Sequence, residues 1–85
     1  MRFTVAWLKA AENRLADIWL AASEKAQISA AADAIDQALA ANPLGIGEPR
    51  TAKIRYLEVP PLAVYYEVRL LDQLVVVRAV WRLPS

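Results

Sequence analysis

The dipeptide Asn42-Pro43 divides this chain into two kinds of sequence. A residue before proline is pushed out of the α region, so a helix that reaches Asn42 must end there. Upstream, apolar residues recur at helical spacing. Leu8, Leu15, Ile18, Trp19 and Ala22 form one stripe, with Glu12, Arg14 and Asp17 largely off it. Ile28, Ala32, Ile35 and Leu39 form another. Ser23 falls between the two and is expected to N-cap the second helix. So short a break makes the pair an antiparallel hairpin. Ahead of it, Arg2 to Ala6 reads as a short opening strand with Phe3 and Val5 on one face.

Downstream of Asn42 the pattern is different. PLGIGEP holds both glycines of the chain and two of its five prolines, and must be a loop. Three β-rich runs follow: Ala52 to Val59, Leu62 to Leu70 and Leu74 to Trp81. Pro60-Pro61 separates the first two, and Leu71-Asp72-Gln73 makes a tight turn before the third. A meander of these strands backed by the helix hairpin buries the most apolar surface. The expected fold is therefore α+β, in the order β-α-α-β-β-β, with the hairpin packed on a small antiparallel sheet. Residues 1–85 are expected to be one domain, near the lower size limit for a core that needs no staple.

The chain has no cysteine and no histidine. Disulfides, thiolate metal sites and Ser-His or Cys-His catalysis are thereby excluded. Asp33 and Asp36 lie three apart on the second helix and are read as solvated, and the GIG of residues 45–47 as a turn, so no metal or cofactor is expected. MRFTVAWLKAAENR lacks a long apolar run, which argues against a signal or a membrane anchor. A cytoplasmic protein is expected, with neither a membrane nor a small-molecule substrate as partner. The net charge of +1 argues against a general nucleic-acid coat. Residues 1–47 carry four basic and five acidic side chains, residues 48–85 six and four, so any positive field sits on the C-terminal half.

Within that half, arginines are threaded through the strands. Strict alternation along the last strand puts Val75, Val77, Ala79 and Trp81 on the helices and Val76, Arg78, Val80 and Arg82 on the opposite face. Trp7, Trp19 and Trp81 are all expected in the core. One sheet face is then expected to collect Lys53, Arg55, Tyr65, Glu67, Arg78 and Arg82. Guanidinium groups hold phosphate through paired hydrogen bonds, and aromatic rings stack on bases. The plainer alternative is a wet sheet face on which Glu67 pairs with Arg55 or Arg78 across strands.

The sequence resembles the RelE/ParE toxins of bacterial type II toxin–antitoxin systems. The resemblance is carried by "W..AAENRLADIWLAA", "I..AADAIDQALAANPLGIGEPR", "IRYLEVPPLAVYYEV" and "DQLVVVRAVWR", in that order. It implies a toxin neutralised by a cognate antitoxin that buries the helix hairpin or an open sheet edge. RelE-like members cut mRNA in the ribosomal A site, whereas ParE-like members poison DNA gyrase. Lys53, Arg55, Arg82 and Arg78 match the family's basic positions and are the implied target- or RNA-binding residues. Ala63 stands where many members have arginine, and a C-terminal tail tyrosine has no counterpart. The resemblance therefore points first to a ParE-like gyrase inhibitor. The alternatives are a ribosome-dependent endoribonuclease with Glu67 or Tyr65 as base, and an inactive member.

Overall fold

The computed structural model describes residues 2–84, and the chain adopts the expected β-α-α-β-β-β order with one extra two-residue strand. The elements are β1 (Thr4–Trp7), α1 (Lys9–Ala21), α2 (Lys25–Ala41), β2 (Glu48–Pro49), β3 (Ile54–Val59), β4 (Leu62–Arg69) and β5 (Leu74–Arg82). The sheet runs β1-β5-β4-β3-β2. It is mixed rather than wholly antiparallel, because β1 lies parallel to β5 with Val5 opposite Val75. The crossover between those two strands contains the helix hairpin, as a parallel pair requires.

Helix α1 stops where Ala22 becomes extended, and Lys25 Nζ donates to the carbonyls of Leu20 and Ala22 at 3.3 and 2.7 Å. The cap of α2 is Glu24, not Ser23, and its side chain makes no capping bond. The Glu24 carboxylate is instead held by Arg82 from the far end of the chain. At its other end α2 closes on Asn42, whose Oδ1 accepts the Gly45 amide at 3.1 Å. The break at Asn42-Pro43 falls where the sequence requires it.

The core lies between the helices and one sheet face. Ala11, Ile18 and Ala22 join Ile28, Ala31, Ile35 and Leu39 against Leu62, Val64, Tyr66, Val75, Val77 and Val80. Each of the larger aliphatic side chains contributes about 1.5–3 kcal/mol by leaving water.

Strand β5 departs from strict alternation. Tyr66 is opposite Val77, whereas Tyr65 is opposite Ala79, so Arg78 is an unmatched residue in a β-bulge. One extra residue inverts the faces beyond it. Val80 joins the core and Arg82 turns towards the helices, while Ala79 and Trp81 move to the open face. The expected placement is thus correct up to Val77 and reversed from Ala79 onwards, and Trp81 is not a core residue.

Strand β3 carries a second correction. Its register pairs Arg55 with Tyr66, Leu57 with Val64 and Val59 with Leu62. Those partners face the helices, so Arg55 does as well. Ile54, Tyr56 and Glu58 occupy the open face instead. The short β2 covers the edge of β3, and it reaches that edge through Gly47 at φ 66°. A Cβ there would meet the Tyr56 carbonyl oxygen at 2.5 Å and the Tyr66 hydroxyl at 2.8 Å, so only glycine fits.

Candidate functional site

The sheet face away from the helices has two ends of unlike chemistry. At one end, cross-strand pairing brings Tyr56 beside Tyr65, and the bulge adds Trp81. The ring centroids lie 5.7 Å apart for Tyr56–Tyr65, 5.8 Å for Tyr56–Trp81 and 4.8 Å for Tyr65–Trp81. Arg50 covers the Tyr56 ring at 4.4 Å while pairing with Glu48 at 3.0 Å. The Tyr56 hydroxyl donates to Glu58, and that carboxylate pushes the phenol up to about 12. Tyr56 is thus held protonated at neutral pH, with its proton directed at Glu58.

At the other end a groove of about 660 Å³ is lined by Thr51, Lys53, Ile54, Glu67, Arg69 and Arg78. Glu67 accepts from Arg69 Nε at 3.1 Å on one oxygen and from Arg78 Nη1 at 3.0 Å on the other. The bond from Arg69 first, and that from Arg78 with it, hold the carboxyl below the usual range. A carboxylate engaged on both oxygens is a weak proton acceptor. Of the two bases named from the sequence, Tyr65 is the one without such a clamp on its side chain among the described contacts, and it is 37% exposed.

The six residues expected on one face are therefore divided. Tyr65, Glu67 and Arg78 share the open face, and Lys53, in the loop before β3, lines the same groove. Arg55 and Arg82 are on the helix side. Arg55 donates through Nε to the Tyr66 hydroxyl at 3.2 Å and through Nη2 to the carbonyls of Leu44 and Ile46 at 3.2 and 2.9 Å. The Tyr66 hydroxyl lies 2.8 Å from the Pro43 carbonyl, its closest acceptor. Together they fasten the 43–47 loop to the sheet. Arg82 grips Glu24 with both terminal nitrogens, one bond measuring 2.6 Å. That grip is the main cause of a Glu24 carboxyl lowered to about 2.

Sequence reasoning missed Tyr56, Trp81, Arg50 and Arg69. For Tyr56 a usable signal existed. A two-residue turn at Pro60–Pro61 fixes Val59 opposite Leu62, and counting back from there places Tyr56 opposite Tyr65. Nothing comparable marks Trp81, because its position depends on the bulge.

On the helix side, a second groove of about 640 Å³ opens between α1 and α2, with Trp7, Leu15, Trp19, Leu20 and Ile28 in its lining. Trp7 Nε1 donates to Asp36 at 2.7 Å and Trp19 Nε1 to Ser29 at 3.2 Å, so Asp36 is a partner to the indole rather than a free carboxylate. Leu20 is 68% exposed. Among the described residues no cluster of acidic, cysteine or histidine side chains could hold a metal ion, and no helix is long and apolar enough to cross a membrane.

No protein-family model and no curated protein matches the sequence. Solved structures do. The chain is similar to one in the toxin–antitoxin complex RelBE2 from Mycobacterium tuberculosis, with a TM-score of 0.81 and 18% identity over 96% of this chain and 92% of that one. A chain of the chromosomal ParDE TA system from P. aeruginosa gives 0.69 and 17%, covering 96% and 97%. The isolated E. coli RelE toxin gives 0.66 and 11%, covering 100% and 87%. Two helices on a five-stranded mixed sheet is thus the fold of the RelE and ParE toxins, as the resemblance in the sequence implies.

Proposed function

We propose that this chain is the toxin of a type II toxin–antitoxin system of the RelE/ParE kind, and that it acts by docking on DNA gyrase rather than by cutting RNA. The shared fold supports the toxin reading, and two of the similar structures named above come from toxin–antitoxin systems. The observation that carries the non-catalytic reading is the clamp on Glu67. The one carboxylate at the basic end of the open face is engaged by two arginines, so that end offers no strong base. Lys53 and Arg78 are the docking cations of this reading, while Arg55 and Arg82 act by holding the fold. A cognate antitoxin would cover the apolar groove between the helices, where Leu20 and Trp19 are exposed.

The test is expression of the chain alone in a bacterium, with gyrase-linked DNA breakage and the 5′ ends of cellular mRNA read together. DNA breaks with intact mRNA are expected. Codon-phased mRNA cuts without DNA breaks would overturn the gyrase reading and make Tyr65 the base to examine. Growth with neither would leave an inactive member. The double substitution Lys53→Glu and Arg78→Glu is expected to reduce the growth defect at least about tenfold, since both cations lie in the proposed interface. An unchanged defect from a folded double variant would remove the site.

A further inference from the structure

The open face joins an aromatic end to a basic end, and the spacing between them defines what fits. Tyr65, Glu67 and Arg69 are alternate residues of β4 and point the same way. At about 3.4 Å per residue, the aromatic and basic ends are ~7–13 Å apart along the strand, the span of two to four extended residues. Lys53, Arg69 and Arg78 stand against the single carboxylate Glu67 in the basic groove, so the groove keeps a cationic surplus.

Phosphates and carboxylates would both answer that charge, but the aromatic end distinguishes them. A nucleobase needs an open ring face. Arg50 covers Tyr56 at 4.4 Å, and Trp81 is stacked beside the same ring at an interplanar angle of 27°. Three cations against one carboxylate also leave the groove a surplus of only about two charges, whereas nucleic-acid affinity grows with the number of phosphates neutralised. Tyrosine, tryptophan and arginine packed together are instead the residues that dominate protein–protein hot spots.

We propose that the open face binds an acidic protein segment. Its carboxylates meet Lys53, Arg69 and Arg78, and an apolar side chain two to four residues away seats on Tyr65 and Trp81. Glu67 takes only Nε of Arg69 and Nη1 of Arg78, so the remaining guanidinium N–H donors, with Lys53, meet an incoming carboxylate while Glu67 stays clamped. This inference deepens the docking reading, on which it rests only for the identity of the target.

The test is photo-cross-linking in living bacteria from Tyr65→p-benzoylphenylalanine, with the same substitution at the fully exposed Leu71, in the β4–β5 turn, as the off-face control. Because Tyr65 packs on Trp81, Arg69→p-benzoylphenylalanine provides a second reporter should the first not fold. Adducts are digested and sequenced by mass spectrometry. The expected adduct is a peptide with at least two acidic residues within about four positions of a large apolar one. Its yield should fall at least about tenfold with Arg78→Glu and be negligible from Leu71. Adducts to RNA, peptides without an acidic cluster, or a yield indifferent to Arg78→Glu would overturn the inference. An acidic adduct from a protein other than gyrase keeps the inference and removes gyrase as the target. Gyrase-linked DNA breaks with no face adduct from either reporter do the reverse.

Discussion

Arg82 reaches Glu24 across 58 residues of sequence, and this contact makes the stability of the molecule depend on acidity. In the unfolded chain Glu24 titrates near 4.5, and in the folded one its carboxyl is lowered to about 2. The stabilisation is complete above the higher value and is lost as the pH falls towards the lower one. Glu67, also lowered by its arginines, adds to the loss in the same direction. Thermal melts between pH 6 and 2 should therefore show a smaller drop for Glu24→Gln than for the parent chain. Arg55 makes a different prediction. Its guanidinium satisfies two loop carbonyls and the Tyr66 hydroxyl, so Arg55→Ala should destabilise by about 1–3 kcal/mol in urea unfolding. Tyr66→Phe should lose a comparable amount, and the two losses should not add, because they belong to one network.

At the level of elements, β5 governs what each residue can touch. Arg78→Ala keeps the bulge and should leave the fold intact. Deleting residue 78 should be tolerated as well, because Ala79 then follows Val77 in plain alternation and Val80 and Trp81 keep the faces they already occupy. A cooperative melt within about 2 kcal/mol of the parent is expected for the deletion. Gly47→Ala should destabilise, by about 1–3 kcal/mol, since the left-handed conformation and the close Tyr56 carbonyl both oppose a Cβ.

These same elements show where reading the sequence succeeds and where it fails. The helices, the stop at Asn42 and the three long strands follow from periodicity and proline. The face of Arg55 could have been read from Leu57 and Val59, two apolar residues of the same parity. The bulge could not. LVVVRAVWR is apolar on both parities, so it gives no sign of where alternation slips. The two-residue β2 is too short to leave any period. Ser23 failed as a cap because the neighbouring Glu24 is fixed by a residue far away in sequence, which local capping rules do not include. The candidate site was consequently half legible: Lys53, Tyr65, Glu67 and Arg78 were correctly grouped, Arg69 and Tyr56 were passed over, and Trp81 was hidden behind the bulge.

At the scale of the whole molecule, a chain of 85 residues without disulfides rests on a single thin core between the hairpin and the sheet. Such a domain has only a few kcal/mol to spare. Binding that covers the groove between α1 and α2 should then register strongly as stability. For the antitoxin proposed above, a thousandfold excess over its Kd would add about 4 kcal/mol and raise the melting temperature by more than about 15 °C. Arg78→Glu should not diminish that shift, because Arg78 is on the opposite side of the sheet from the groove.

Strand β5 sits between β1 and β4, although it is the last strand in the order of synthesis. Until it leaves the translating ribosome, β1 has no neighbour in the sheet, the hairpin lacks the valines it packs against, and Glu24 lacks its arginine. Neither grouping of side chains on the open face is complete before that moment, since Arg78 and Trp81 both belong to β5. The inner position of β5 thus makes the sheet, the helix packing and the open face all await the same strand.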